Sequence, residues 1–157
     1  MTFETDIFKQ FDKKWALLTA GTEDDFNMMT ISWGAMGTIW NKPVVTVYVR
    51  TSRLTLGYMD ANEYFTVSFY PEEERKKLAI LGTMSGRDMD KIHDSGLTPI
   101  RAGESVSFKE AETTMICKKL FRQLIPRNLM PEDVVQEMYA EDAEHIMFIA
   151  EVVSIEE

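Results

Sequence analysis

Apolar residues in this chain recur mostly at the two-residue spacing of strands. Between Met28 and Ala35, residues Met29, Ile31, Trp33 and Ala35 fall on one side, while Thr30, Ser32 and Gly34 fall on the other. This predicts a strand with one surface of small, hydroxyl-bearing groups. Before it, a short amphipathic start at Ile7 to Phe11 precedes the compact apolar run Trp15 to Ala20, and Gly21-Thr22-Glu23-Asp24-Asp25 reads as a hairpin turn. After it, Asn41-Lys42-Pro43 interrupts the chain ahead of Val44 to Arg50, a run rich in β-branched residues and so a further strand. Thr55 to Asn62 reads as a short helix, and Tyr64 to Tyr70 as a strand with Phe65, Val67 and Phe69 on its inner face.

Pro71, three glutamates and then Arg75-Lys76-Lys77 make a helix start that runs to Gly82, with Glu72 and Lys76, and Glu73 and Lys77, paired four residues apart. A polar loop, Ser85 to Lys91, follows and opens a further helix near Asp88. The C-terminal part holds a strand at Thr113 to Leu120, a helix at Pro131 to Tyr139, and a last strand at Ile146 to Ile155 with Ile146, Phe148, Ala150 and Val152 on one side. Strands dominate and helices do not alternate with them regularly. The pattern therefore predicts a mainly β fold, a barrel decorated by helices, rather than a doubly wound α/β sheet.

At 157 residues the chain suits one domain, 1–157, and no repeat, low-complexity segment or linker marks a boundary. With 45% hydrophobic and 27% charged residues it has the material for a packed core. A net charge of -9 argues against nucleic acid and anionic membrane as broad partners. That charge is uneven, because no Asp or Glu lies between Phe26 and Met59, a stretch that carries Lys42, Arg50 and Arg53. The start carries Glu4 and Asp6 without a signal-like apolar run, and the uncharged stretch Phe26 to Asn41 is too short and polar to cross a bilayer. Cytoplasmic residence is the expectation.

Several chemistries lack their residues. Cys117 is the only cysteine, so no intrachain disulfide forms, and inside a strand it reads as a small buried apolar group. His93 and His145 show no metal-ligand spacing, and no metal is expected. There is no Gly-x-Ser-x-Gly elbow, Walker loop or Gly-x-Gly-x-x-Gly turn.

The segment Arg50-Thr51-Ser52-Arg53-Leu54-Thr55 stands apart. It follows a strand, enters a helix, and packs two guanidinium groups and three hydroxyls together without a nearby acid. Guanidinium forks and first-turn amides both suit phosphate, whereas helix first turns usually carry Asp or Glu. The plainer alternative is that both arginines form surface ion pairs. Ser85 to Lys91 is a second polar candidate, and its plainer reading is a solvated connector with a capping Ser or Asp.

Taken together, four motifs resemble the flavin reductase-like, FMN-binding split-barrel family. They are Asn27-x-Met29-Thr30-x-Ser32-Trp33-Gly34, Lys42-Pro43 with the strand end Tyr48-Val49-Arg50, Arg53-x-Thr55, and Ser85-Gly86-Arg87-Asp88-x-Asp90-Lys91. The match runs over about residues 12 to 155. The resemblance implies a Greek-key split barrel that forms a homodimer, with FMN at or near the subunit interface. It places Thr30, Ser32 and Trp33 along the ring system and ribityl chain, and Arg50, Ser52, Arg53 and Thr55 on the phosphate. Ser85, Arg87 and Lys91 would close the site, and Asn27, Met29 and Gly86 complete the cofactor-binding set. No residue is cast as a catalytic acid or base, because hydride and electron chemistry belongs to the flavin.

The implied activity is a flavin-dependent oxidoreductase passing electrons between a reduced donor, NADH or NADPH, and an acceptor. His145 is the candidate nicotinamide contact. Family members active with nicotinamides often carry a Gly-Asp-His stretch here, and this chain has Ala143-Glu144-His145 instead. Two alternatives follow: an electron carrier reduced by a partner protein, or a barrel that binds a different anionic ligand.

Overall fold

The computed structural model describes residues 1–83 and 90–157. Its strands are β1 (Ala16–Thr22), β2 (Asp25–Ile31), β3 (Gly34–Ile39), β4 (Lys42–Arg50), β5 (Tyr64–Phe69), β6 (Pro99–Ala102), β7 (Ser105–Phe108), β8 (Thr113–Leu124) and β9 (His145–Glu156). The helices are α1 (Ile7–Asp12), α2 (Thr55–Ala61), α3 (Arg75–Thr83), α4 (Lys91–Ser95) and α5 (Glu132–Val134), the last running on as a π-helical turn over Val135–Tyr139. Among the described residues no helix is long and apolar enough to cross a membrane.

Seven strands form one antiparallel sheet in the order β2-β1-β5-β8-β9-β4-β3, and β6 with β7 makes a separate hairpin. β2 and β3 stand at opposite ends of that order, yet only Ser32 and Trp33 separate them along the chain. The sheet must therefore curl until its two edges meet at this corner. They meet without pairing, which leaves a split barrel, as the sequence leads one to expect.

The core explains which periodicities were readable. β1 is buried on both faces: Leu18 and Ala20 join the barrel interior with Val45, Val47, Phe65, Val67 and Phe148, while Leu17 packs outward with Met28, Leu78, Leu81 and Phe108. A strand with two buried faces reads as a continuous apolar run, as Trp15 to Ala20 does. On β9, Ile146, Phe148, Ala150 and Val152 are all buried on the interior side, matching their expected face. Cys117 is fully buried on β8, and burial pushes its thiol pKa up.

Four departures have local causes. The single strand expected over Met28 to Ala35 is two strands broken at Ser32 and Trp33. The bend brings Gly34 against α1, where a Cβ would lie 2.6 Å from Phe11 Cζ. The helix expected from Pro71 to Gly82 begins as a tighter 3-10 turn over Glu72–Glu74, so the ion pair that forms is Lys77 with Glu74, three residues apart at 2.8 Å. The turn before β4 is a two-residue hairpin with Trp40 and Asn41 both at positive φ, 52° and 57°. The β6–β7 hairpin escaped the pattern because β7 is buried at all four positions. Its serines are satisfied indoors: Ser105 Oγ donates to the Gly21 carbonyl at 3.1 Å, and Ser107 Oγ lies 2.7 Å from Thr114 Oγ1.

Candidate functional site

The corner where β2 passes to β3 adjoins the end of β4 and the start of β9, and a cleft of about 200 Å³ opens there. Its walls are Met29 to Trp33, Tyr48 and Arg50 of β4, Arg53 beyond it, Gly82 of α3, and His145 of β9. Arg50 and Arg53 put two guanidinium groups on this wall, and no carboxylate lines it among the described residues. Ser32 borders this cleft and two adjacent ones, so it sits where three cavities meet.

The hydroxyl surface of β2 is partly committed to the fold. Thr30 Oγ1 donates to the Leu78 carbonyl at 2.5 Å, tying β2 to α3. α3 approaches so closely that a Cβ on Gly82 would lie 3.3 Å from Thr30 Cβ. Asn27 and Thr55 lie beneath the cleft rather than on its wall: both are buried, and Asn27 Nδ2 donates to Thr55 Oγ1 at 2.9 Å. Ser52 is exposed in the turn after β4. Met29 lines the cleft but is 7% exposed.

The two arginines differ in their engagements. Arg50 Nη1 donates to the Ala143 carbonyl at 2.7 Å, and its guanidinium lies over the rings of Tyr139 and Trp33 at 5.3 and 5.9 Å. Arg53 Nη2 is buried and has no hydrogen-bond partner among the described residues. Burial, and then the charge of Arg50, push the Arg53 pKa down. A half-buried guanidinium with an orphaned donor is destabilised until an anion meets it, so the residues present fit a phosphate at Arg53.

The amides expected to stand open are largely closed. The N–H groups of Thr51, Arg53, Leu56 and Gly57 donate to the carbonyls of Glu144, Arg50, Arg53 and Leu54 respectively. The seven-residue α2 starts with 3-10-type bonds that occupy the Leu56 and Gly57 amides, so side chains carry more of the anion contact.

His145 is 6% exposed. Its Nδ1 lies 2.7 Å from the Tyr139 hydroxyl, and its ring centre is 5.0 Å from that of Trp33. Burial first, then the Arg50 charge, hold its pKa down to about 4, against an opposing pull from Asp142. The imidazole is therefore neutral at physiological pH.

Ser85, Gly86 and Arg87 lie outside the described residues, as does Asp88. Lys91 opens α4, whose N-cap is Asp90, accepting from the His93 amide at 3.1 Å. The sequence reading missed Ile31, Tyr48 and Gly82 on the cleft wall, and Tyr139 behind His145. Tyr48 was within reach, since it shares the strand face of Arg50 two residues away. Tyr139 carried no local signal, because an irregular segment brings it to His145.

Residues 8–157 match the family model of the flavin reductase like domain. The chain belongs to this flavin reductase-like family. No match appears among curated proteins. Among solved structures, flavoredoxin from Methanosarcina acetivorans superposes with a TM-score of 0.72 at 21% identity, covering 91% of this chain and 67% of that one. An FMN-binding protein from Thermus thermophilus with bound 1-cyclohex-2-enone gives 0.72 at 18%, covering 100% and 77%. A Shewanella frigidimarina flavin reductase homologue with a split barrel domain gives 0.71 at 16%, covering 91% and 66%. At these identities the likeness bears on the fold, which is the split barrel.

Proposed function

We propose that this flavin reductase-like protein binds FMN in the cleft at the β2–β3 corner and works as a flavin-dependent oxidoreductase. The observation that carries the reading is Arg53 Nη2, buried without a partner in a cleft whose described wall has no acid. Arg53 holds the phosphate, and Ser52, an exposed residue next to Arg53 in the chain, adjoins it. Thr30, Ser32 and Trp33 border the rest of the ligand. The family resemblance assigns Ser85, Gly86, Arg87 and Lys91 to closing the site; Met29 lines it, and Asn27 and Thr55 support it from beneath. Bound FMN supplies a ring system that accepts and releases hydride or single electrons. The protein's part is to orient the ring, exclude water and fix the local charge. A neutral His145 adds no third cation to Arg50 and Arg53.

FMN-binding neighbours such as the Thermus thermophilus protein support the choice of ligand. The assembly is a cytoplasmic homodimer of one-domain subunits. Its interface is supported by the outer half of β8, where Leu120, Phe121 and Leu124 are exposed; sedimentation velocity at micromolar concentration tests it.

A second reading, an electron carrier reduced by a protein partner, is favoured by His145. The residue expected to meet a nicotinamide is 6% exposed, with Tyr139 on its Nδ1 and Trp33 beside its ring. Anaerobic addition of NADH and of NADPH to the FMN-loaded protein, followed by absorbance, decides between them. Rapid bleaching by either supports the oxidoreductase. Bleaching only by a chemical reductant or a reduced redox protein supports the carrier.

A further inference from the structure

We propose that Arg50 is a positioning residue rather than a phosphate ligand: it clamps residues 138–144 beside the cleft and so fixes His145 in its wall, with Tyr139 behind it. Between the π-helical turn ending at Tyr139 and the start of β9, the backbone follows no regular ladder, so its carbonyls need donors from elsewhere. Arg50 supplies two, from Nη1 to Ala143 at 2.7 Å and from Nη2 to Met138 at 3.5 Å. Arg127 supplies donors to the carbonyls of Tyr139 and Asp142 and to the Glu144 carboxylate. The Thr51 amide donates to the Glu144 carbonyl at 2.9 Å. The carbonyls of 138, 139, 142, 143 and 144 are thus all met from β4, its following turn or Arg127.

Arg50 also stands directly opposite His145 in the β4–β9 register. A planar fork between the Trp33 and Tyr139 rings bridges two carbonyls of one segment, which a single ammonium group does not reproduce. Arg53 has none of these engagements at its Nη2. The two neighbouring arginines therefore divide the work, one holding protein and the other open to an anion.

The clamp has a consequence at His145. Facing its ring are Arg50 from β4 and Tyr139 and Asp142 from the segment, with Glu144 preceding it in the chain and bonded to Arg127. Since burial is the largest cause of its lowered pKa, loosening the segment hydrates the ring and raises that value.

The test uses Arg50→Lys and Arg50→Met, with Arg53→Met as comparator. Only one arm rests on the flavin reading: the affinities for FMN and riboflavin. The other two use the apoprotein, namely hydrogen exchange at the Thr51 amide and the NMR titration of His145. The expected result is Thr51 exchange faster by about tenfold or more, a His145 midpoint raised by roughly one unit, and FMN and riboflavin weakened by the same factor within about twofold. An unchanged Thr51 rate, an unchanged His145 midpoint, or a loss of about tenfold confined to FMN each overturns the proposal. If the wild type binds neither flavin, the flavin reading fails while exchange and titration still decide the clamp. Should Arg50→Met not fold, Arg50→Lys, which keeps the charge, decides alone.

Discussion

Asn27 Nδ2 donates to Thr55 Oγ1 at 2.9 Å, joining β2 to the first turn of α2 in a site where both residues are buried. This bond ties the start of α2 to β2 beneath the cleft. Removing one partner leaves the other unmet indoors, at about 1–3 kcal/mol. Asn27→Ala is therefore expected to lower the unfolding free energy in urea by that amount, while FMN affinity of the folded protein shifts less than about threefold. Unchanged stability with a large affinity loss would place Asn27 on the ligand instead.

Arg53→Met removes the one cleft guanidinium with an orphaned donor among the described residues. A charge-assisted hydrogen bond contributes about 1.5–3 kcal/mol, so FMN affinity is expected to fall by about 10- to 150-fold. Riboflavin, which lacks the phosphate, is expected to change little. Fluorescence-quenching titrations with both ligands measure the contrast, and a parallel loss for both places Arg53 away from the phosphate.

His145 makes stability depend on acidity. Its folded pKa of about 4 lies below the ordinary 6.5. The unfolded chain therefore binds the extra proton first, and stability is full above about pH 6.5 and lost as pH falls toward 4. Allowing for partial solvent screening, moving from pH 7 to pH 5 removes about 1–2 kcal/mol through this group. Urea unfolding of wild type and His145→Gln at both pH values isolates it: the wild type is expected to lose that much more than the variant. Equal losses would show that the imidazole titrates normally in the folded protein.

Gly34 has no room for a side chain, because a Cβ there would meet the Phe11 ring at 2.6–2.8 Å. Gly34→Ala is expected to destabilise by about 1–3 kcal/mol through overpacking against α1. Pairing it with Phe11→Leu should recover part of that loss. A double-mutant cycle by chemical denaturation reads the coupling, and strict additivity would mean that α1 is not what Gly34 accommodates.

How much was legible follows from what each segment touches. β9 showed its inner face because its other side is less buried, and the Arg50–Thr55 turn announced itself by charge without acids. Met28 and Met29 are both buried, one outward against α3 and one inward, so alternation could not reveal where β2 ends. The break at Ser32 and Trp33 is set by edge closure of the whole sheet, a relation between residues distant in sequence. Arg50 shows the same limit from the other side. Its residue type suited phosphate, but its commitments to Met138 and Ala143 come from a segment about 90 positions away, beyond any local pattern.

The central claim is that the cleft at the β2–β3 corner takes a flavin by its phosphate through Arg53. Equilibrium titration of the apoprotein with FMN and with riboflavin, at one fixed ionic strength, tests it most directly. The account predicts one FMN per chain, bound at least about tenfold more tightly than riboflavin. Equal affinities, or no binding of either, would contradict it.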